Sequence, residues 1–381
     1  MNSASTGISG VKITTNIINV SSTTAPTGEY SISSLNSGTN VKLIPYKDDD
    51  ILNGVSTIDL LLIEKHIKGQ SILTDPYLLI AADVNNSGSI TVSDLISLQK
   101  IILGTSTTFP NNKSWIFIPK SFVFQDLANP WIYPQTIEYD PLVTSMKNAD
   151  FIGVKVGDVN NSATVGLRGL EERSQSDISL DLRPISDGSN LEWGFYLPKK
   201  LTNLNAFAVD LKVPKGSKVL GTGLLKIVEN ENFYISDDHL RIVWTSVNGV
   251  TLNPAYPLFK IVTSRSACPS DFDILRRLWR STIIADDAIF RLSLKVPDPQ
   301  ITIYPNPSSE KIFIKFFVND PLHDKVFLTS TSGVIFNQFI FDLQPGENRI
   351  LLNKSDLRSS GVFYFTTISN GKTYIASFIV F

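Results

Sequence analysis

The amino-acid sequence predicts a mainly β, multidomain protein that combines β-sandwich modules with one small all-α module. Most of the 381 residues alternate apolar and polar side chains in short runs between Gly, Pro, Asn and Ser turns, a pattern typical of strands. Residues 48–104 instead contain one loop-plus-helix unit twice, at an offset of 35 residues. The hydrophobic content of 42% suffices for several separate cores.

Composition excludes several classes of function. A net charge of −2 gives no electrostatic basis for binding nucleic acid or an anionic membrane surface. The longest clean apolar run, residues 77–82, is far too short for a membrane span. A single cysteine, Cys268, excludes an intrachain disulfide framework, and we expect it to be an inert buried side chain.

Residues 1–46 are predicted to form a small antiparallel β-unit, with alternating runs at 11–14, 30–33 and 41–44. Residues 28–35 and 41–45 resemble the second half of a carboxypeptidase-regulatory-like β-sandwich. The first strands of that fold are missing, and the first residues lack the basic and apolar regions of a secretory signal. We therefore expect the chain to be a fragment of a longer protein.

Residues 47–106 carry the duplicated unit. The residues that recur identically are Asp48, Asp59, Leu60, Lys65, Ile67 and Gly69, which return as Asp83, Asp94, Leu95, Lys100, Ile102 and Gly104. Each copy opens with a twelve-residue loop and continues into a short helix. The predicted apolar faces are Leu60, Ile63 and Ile67 in the first helix and Leu95, Leu98 and Ile102 in the second.

The second loop, residues 83–94, nearly matches a calcium-binding pattern. Its predicted ligands are Asp83, Asn85, Ser87, the carbonyl of Ser89, Thr91 and Asp94, at loop positions 1, 3, 5, 7, 9 and 12. A hard cation that takes six to eight oxygens requires this alternation. Gly88 at position 6 permits the sharp turn.

The first loop, residues 48–59, is a poorer match. Its candidate ligands are Asp48, Asp50, Ser56 and Asp59, with the Asn53 side chain as a substitute because Leu52 occupies position 5. A simpler interpretation stays open for both loops, since Ser56 with Asp59 and Thr91 with Asp94 are also plausible helix-capping boxes. Capping alone does not require oxygen at positions 1, 3 and 5.

These two units resemble a dockerin, over about 60 residues and most specifically in the second loop. The resemblance implies calcium as the cofactor and a cohesin-like domain as the partner. Carried over from the family, the partner contacts are Thr57, Ile58, Lys65, Val92, Ser93 and Lys100. Core packing explains Ile58 and Val92 equally well.

Residues 107–163 form an aromatic-rich extension, which includes Phe109, Trp115 and Trp131. A sugar-stacking platform, and hence a polysaccharide partner, is one interpretation, but packing over the helical module is the commoner use of such residues. Residues 158–162 repeat residues 83–87 letter for letter. They either complete a neighbouring calcium site or turn the chain, and turn chemistry favours the second interpretation.

Residues 164–177 are predicted to be a linker, followed by a β-sandwich over residues 178–298 that faintly resembles a cohesin-type domain. Residues 271–284 are unusually basic for a strand region, which suggests a helical insertion, and the role of residues 264–284 is not assigned. Residues 299–381 resemble the C-terminal sorting domain of the Bacteroidetes type IX secretion system. The segment Tyr304, Pro305, Asn306 and Pro307 opens it, and the strand at 361–365 falls in the expected order.

No catalytic motif surrounds His66, His239 or His323, although a carboxylate pair of the glycosidase kind stays open. We therefore predict a non-catalytic portion of an extracellular or outer-surface protein, in which a calcium-ordered docking module is exported by the type IX secretion machinery. Two alternatives remain. The chain is the accessory region of a polysaccharide-degrading enzyme whose catalytic domain lies elsewhere, or it is a structural adhesin or stalk.

Overall fold

The computed structural model confirms a mainly β fold with a small helical region, at 43% strand and 11% helix. It describes residues 6–164, 176–185, 191–221, 225, 231–263, 271–275, 281–286, 288–295, 301–304, 306–318, 322–331, 333–343, 346–357, 360–369 and 372–381. Across these residues, no helix is both long enough and apolar enough to cross a membrane. Cys268, most of the predicted linker and residues 276–280 of the basic segment lie outside the described residues.

The N-terminal sheet combines strands from both sides of the helical module. Its strands are β1 (Lys12–Thr15), β2 (Ser21–Thr23), β3 (Val41–Tyr46) and β5 (Ile137–Tyr139), in the order β2-β1-β3-β5. A separate antiparallel ribbon pairs β4 (Trp115–Pro119) with β6 (Phe151–Lys155). Trp115, Phe117 and Phe151 from this ribbon pack into the core of the N-terminal sheet. The aromatic-rich extension therefore supplies both a strand and core side chains to the unit predicted at 1–46.

The helical module consists of α1 (Thr57–Ile67), α2 (Pro76–Ala82) and α3 (Val92–Leu103). Ile63 and Leu98 are fully buried where the inner faces of α1 and α3 meet α2 and the β4–β6 ribbon. The helix α3 ends at Gly104, whose φ of 80° is the left-handed conformation that glycine adopts without strain. The 3.6-residue period of the sequence thus produces two amphipathic helices on a shared core.

A large sheet follows, with its strands in the order β10-β13-β8-β7-β16-β15-β9-β12-β11, and β14 pairs with β9. The strands are β7 (Ser176–Pro184), β8 (Leu191–Tyr196), β9 (Leu201–Lys212), β10 (Lys218–Leu220), β11 (Phe233–Ser236), β12 (His239–Leu252), β13 (Phe259–Thr263), β14 (Asp273–Ile274), β15 (Thr282–Ala285) and β16 (Ala288–Lys295). The pairing of β16 with β7 is parallel. Stacked rings of Phe195 and Phe259, with centroids 4.4 Å apart, lie in its core.

The helix α1 packs directly on this large sheet. Ile58 and Leu61 contact a buried patch formed by Ala206, Val247 and Ile284 of the strands β9, β12 and β15. Beyond the helix, Gln70 Nε2 donates to Asn248 Oδ1 at 3.4 Å. One face of the first loop–helix unit is therefore covered by the neighbouring β-module.

The C-terminal part has two sheets, ordered β17-β18-β21 and β20-β19-β22-β23. Their strands are β17 (Ile301–Tyr304), β18 (Lys311–Val318), β19 (Leu322–Ser330), β20 (Ile335–Leu343), β21 (Gly346–Asn353), β22 (Gly361–Ser369) and β23 (Lys372–Val380). In the predicted sorting segment, Asn306 Oδ1 accepts the Ile379 amide at 2.9 Å. Pro305 lies outside the described residues.

Two neighbouring positions of α3 give a matched test of this packing. Leu98 is fully buried, whereas Ile96 is 48% exposed. We expect Leu98→Ala to lower the free energy of unfolding of the helical module by about 2–5 kcal/mol, because it leaves a cavity. Ile96→Ala should change it by less than about 0.5 kcal/mol. Urea unfolding followed by helical circular dichroism measures both, and equal losses would contradict this packing.

Candidate metal centre and docking surface

The second loop connects α2 to α3 and folds around two buried carboxylates. Asp83 Oδ1 accepts the Ser87 amide at 2.8 Å, and its Oδ2 accepts the Gly88 amide at 2.7 Å. Asp94 Oδ1 accepts the Asn85 amide at 3.1 Å. Asn86 and Gly88 have φ values of 55° and 76°, so the chain turns sharply between positions 4 and 6. The first and last ligands of the predicted pattern therefore face the same loop interior.

Asp94 also begins the helix α3. Its Oδ2 accepts the Thr91 amide at 2.9 Å, while the Thr91 side chain accepts the Ser93 amide at 3.2 Å. These bonds form a capping box, and Ser56 with Asp59 forms the same box at the start of α1. Both capping interpretations of the sequence are thus confirmed. The Asp94 carboxylate uses Oδ2 for the cap, so its Oδ1 is directed toward the loop, where it accepts the Asn85 amide.

The donor set of the second loop fits a calcium ion. Among the described residues, Asn85 Oδ1 is a buried oxygen without a hydrogen-bond partner. Ser87 Oγ lies 3.1 Å from the Ser89 carbonyl oxygen, which places the position 5 and position 7 oxygens side by side. A buried acceptor without a donor is unfavourable unless a cation or water satisfies it. Carboxylate, amide, hydroxyl and carbonyl oxygens are the ligands that calcium takes.

Electrostatics support the same conclusion about the donor set. Burial raises the pKa of Asp83, and the negative charge of Asp94 raises it further, although the amides of Ser87 and Gly88 act in the opposite direction. Tyr133 lies in this environment, and burial together with the charge of Asp83 raises its pKa to about 12. The loop therefore concentrates negative charge that a cation would offset.

The aromatic-rich extension covers the second loop. A side chain added at Gly88 would meet Trp131 at 3.9 Å. Asn112 Nδ2 donates to the Asp83 carbonyl at 3.2 Å, and Asn86 Nδ2 donates to the Asn111 carbonyl at 3.3 Å. Phe122 and Phe124 pack edge to face, 5.1 Å between centroids, against the helical core. These aromatic side chains pack over the module, as the commoner of the two sequence interpretations expected.

The first half of the first loop is arranged differently. Asp48 Oδ1 accepts the Ser114 amide at 2.8 Å, outside the loop. Asp49 pairs with Lys47, and Asp50 is exposed. The Asn53 side chain exchanges two hydrogen bonds, both 2.9 Å, with the backbone of Thr164. In the first loop, the structure therefore does not bring Asp48, Asp50 and Asn53 together with Asp59. In the second loop, by contrast, the predicted carboxylate ligands lie at the same loop interior.

Asp59 instead faces a distant segment of the chain. Its Oδ1 accepts the Val159 amide at 2.9 Å, and its Oδ2 accepts the Ser56 amide at 2.8 Å. Burial raises the pKa of Asp59 well above its usual value, and the charge of Asp158 adds to this. Asp158 is itself buried, which raises its pKa, while nearby amides and Lys155 lower it. Burial lowers the pKa of Lys155 to about 8.

The predicted partner contacts divide between the two copies. In the first copy Thr57 is 2% exposed, and Ile58 and Lys65 are partly buried. In the second copy Val92 is 57% exposed, and Ser93 and Lys100 are exposed. The sequence analysis missed Ile96, which is also exposed on α3. The helix α3 therefore presents an accessible surface, whereas the equivalent surface of α1 meets the large sheet.

Trp131 and Tyr133 were absent from the predicted site, and Asp158 entered it only through the alternative that residues 158–162 complete a neighbouring calcium site. Nothing in the sequence near Trp131 or Tyr133 indicates the loop that they cover. For Asp158 a signal existed, namely the identity of residues 158–162 with residues 83–87. That signal was interpreted as a turn because no acidic residue follows it at position 12.

Comparison with protein families finds that the dockerin type I domain matches residues 53–103. Such domains bind calcium and cohesins, and occur in extracellular proteins. The match begins inside the first loop, so it includes Ser56 and Asp59 but not Asp48 or Asp50. The comparison with curated proteins returned no match.

Two solved structures show weak similarity to the chain. Dimeric latent PorU from Porphyromonas gingivalis is 13% identical, with a TM-score of 0.20, over 55% of this chain and 20% of that chain. Domains 3 and 4 of rat CD4 are 10% identical, with a TM-score of 0.20, over 55% of this chain and 97% of that chain. The similarity thus spans about a fifth of the PorU chain. At these TM-scores neither structure supports an argument about fold or function.

The capping role of Thr91 can be separated from any metal. In buffer with a chelator, we expect Thr91→Ala to lower the free energy of unfolding of the helical module by about 1 kcal/mol, because the Ser93 amide loses its acceptor. Thr91→Ser keeps that acceptor and should cost only a few tenths of this. Urea unfolding measures both variants. An unchanged midpoint for Thr91→Ala would show that the box contributes nothing.

Proposed function

We propose that residues 47–106 form a calcium-ordered docking module through which a modular extracellular protein binds a cohesin-like partner. The observation that carries the proposal is the second loop, where Asp83 and Asp94 accept amides of the same loop and the buried side-chain oxygen of Asn85 has no partner among the described residues. The match to the dockerin type I domain supports both the cation and the class of partner. The further ligands are Ser87, the Ser89 carbonyl and Thr91.

Bound calcium would supply positive charge to the loop, and the chain's own residues would position the loop and the helix that follows it. Asp83 and Asp94 fix the two ends of the loop, while the capping box starts α3 at Val92. Order in the loop therefore sets the direction of α3. Val92, Ser93, Ile96 and Lys100 lie on the accessible surface of that helix. We assign the partner contacts to this surface.

A second candidate function is a structural joint, and one observation favours it. Ile58 and Leu61 of α1 are packed against Ala206, Val247 and Ile284 of the large sheet. In a joint, calcium stiffens the connection between the helical module and the β-module, and no cohesin-like partner exists. The two candidates differ in whether the surface of α3 binds anything.

The finer parts of the proposal rest on sequence resemblance. These are the domain boundaries, the cohesin-like character of residues 178–298 and export through a sorting domain at residues 299–381. The same holds for attachment to a polysaccharide-degrading enzyme.

Calcium binding by the second loop is tested by calorimetry on the full chain. We expect a dissociation constant on the order of 10⁻⁴ to 10⁻³ M, as in other extracellular modules. Asn85→Ala removes the partnerless oxygen and should weaken this site at least about 10-fold. Asp83→Ala should abolish it, whereas Asp126→Ala, at an exposed carboxylate outside the loops, should leave the titration unchanged. An unchanged number of bound calcium ions in Asp83→Ala would reject the assignment.

Docking is tested with a panel of purified cohesin domains, titrated with and without a chelator. The duplication supplies a matched pair of variants, Lys100→Ala and Lys65→Ala. We expect Lys100→Ala and Ile96→Asp to weaken binding by at least about 5-fold, because both alter the accessible surface of α3. Lys65→Ala and Ile72→Asp, an exposed position outside α3, should have no effect. Calcium binding without any cohesin binding would favour the structural joint.

A further inference from the structure

Two segments far apart in sequence meet beside α1. Residues 158–163 have the sequence of positions 1 to 5 of the second loop, from Asp158 to Ser162, followed by Ala163 at position 6. Residues 54–59, counted back from Asp59 at position 12, are positions 7 to 12 of the first loop. Ser162 Oγ lies 3.0 Å from the Gly54 carbonyl oxygen, so position 5 of one segment meets position 7 of the other. Together the two segments compose a complete twelve-residue loop.

The first of these segments has the backbone arrangement of the second loop. Asp158 Oδ1 accepts the Ser162 amide at 3.0 Å and its Oδ2 accepts the Ala163 amide at 2.8 Å. In the second loop, Asp83 accepts the Ser87 and Gly88 amides at 2.8 and 2.7 Å through the same pair of oxygens. Position 4 is left-handed in both, with φ of 58° at Asn161 and 55° at Asn86.

The second segment matches as well. Ser162 Oγ bonds the Gly54 carbonyl as Ser87 Oγ bonds the Ser89 carbonyl, at 3.0 and 3.1 Å. Asp59 and Ser56 form the capping box that Asp94 and Thr91 form in the second loop. Two details differ. The amide that bonds the position 12 carboxylate comes from Val159 rather than from position 3. The position 3 oxygen of Asn160 accepts the Ser162 amide at 2.9 Å, whereas that of Asn85 has no partner among the described residues.

We propose that these two segments hold a second calcium ion, in a site split across about one hundred residues of chain. Its ligands are Asp158, Asn160, Ser162, the Gly54 carbonyl, Ser56 and Asp59. These supply oxygen at loop positions 1, 3, 5, 7, 9 and 12. The inference rests on the proposed calcium binding of the second loop, and it replaces Asp48, Asp50 and Asn53 as ligands.

The contiguous first loop explains the contacts less well. The Asp48 carboxylate accepts the Ser114 amide and the Asn53 side chain pairs with Thr164. A metal-free turn explains the two amides that Asp158 accepts. It does not explain why Asp59 and Asp158, 0% and 3% exposed, are buried close enough for the charge of one to act on the other. Burying two carboxylates together is unfavourable unless a proton or a cation neutralises the charge, and an ion bound between them would do so.

Among the described residues, Lys155 is a cationic side chain near this site. It is buried, and its Nζ donates to the Ile51 carbonyl at 3.0 Å. Among the carboxylates that act on it are Asp158 and also Asp48, Asp49 and Asp50. Its single charge is therefore shared among several acids. The alternative, in which Lys155 alone neutralises Asp59 and Asp158, predicts no second ion.

The test is calorimetric titration of the full chain with calcium in an Asp83→Ala background, where the second loop is disabled. We expect the wild type to bind two ions and Asp83→Ala to bind one. Adding Asp158→Ala should abolish the remaining ion. Adding Asn160→Ala with Ser162→Ala should weaken calcium binding at this site at least about 10-fold. These substitutions keep the backbone amides that Asp158 accepts, so the loss would not be due to misfolding of the segment. Adding Asp48→Ala with Asp50→Ala should leave the calcium affinity of this remaining site within about 2-fold of its value in Asp83→Ala alone.

Amide hydrogen exchange gives a second readout. Calcium should slow exchange at Val159, Ser162 and Ala163 in the Asp83→Ala background. Loss of the ion through Asp48→Ala with Asp50→Ala, but not through Asp158→Ala, would overturn the split site in favour of the contiguous loop. If the wild type binds one ion and Asp83→Ala none, the split site fails while the proposed function stands. If the wild type binds no calcium, both fail.

Discussion

The helical module depends on the burial of carboxylates at the starts of its helices. Asp59 and Asp94 are fully buried, and each must be compensated because a desolvated carboxylate is costly. Backbone amides supply part of that compensation, and the positive end of the helix dipole supplies more. Each carboxylate also holds an adjoining segment through its other oxygen. Loop, helix start and inner face of the helix are therefore a single cooperative unit, in which disruption of one part releases the others.

Local features of this fold were predictable from the sequence because they depend on local physics. The 3.6-residue period and the two capping boxes fix α1 and α3 within a residue or two. The strand β5 was not predictable, because its pairing with β3 joins residues about one hundred positions apart. The same limit applies to the packing of α1 against the large sheet. The position of Ile58 on its helix is compatible with either exposure or burial. Its contact with Ala206, Val247 and Ile284, which are distant in sequence, makes it part of a buried patch.

The candidate site was predictable to the same extent. In the second loop all six candidate ligand positions are contiguous, so a linear pattern of oxygen side chains is sufficient to predict them. In the first loop the pattern was applied to residues 48–53, because a linear motif assumes that a loop is continuous. The structure directs Asp48 to Ser114 and brings Asp158 to Asp59 instead. The identity of residues 158–162 with residues 83–87 indicates half of such a loop. It does not indicate which other segment of the chain supplies the second half.

The duplicated units have thus acquired unequal surroundings, and this has a consequence for recognition. The two copies share the same Asp, Leu, Lys, Ile and Gly residues. If both helices were exposed, a partner could bind the module in two equivalent orientations, one through each helix. Packing of Ile58 and Leu61 against the large sheet removes one of them, since a partner would have to displace a buried apolar contact. On α3, by contrast, Val92 and Ile96 are exposed. Under the proposed docking function, a partner would therefore meet this module in one orientation, through α3, while the first copy attaches the module to the β-module.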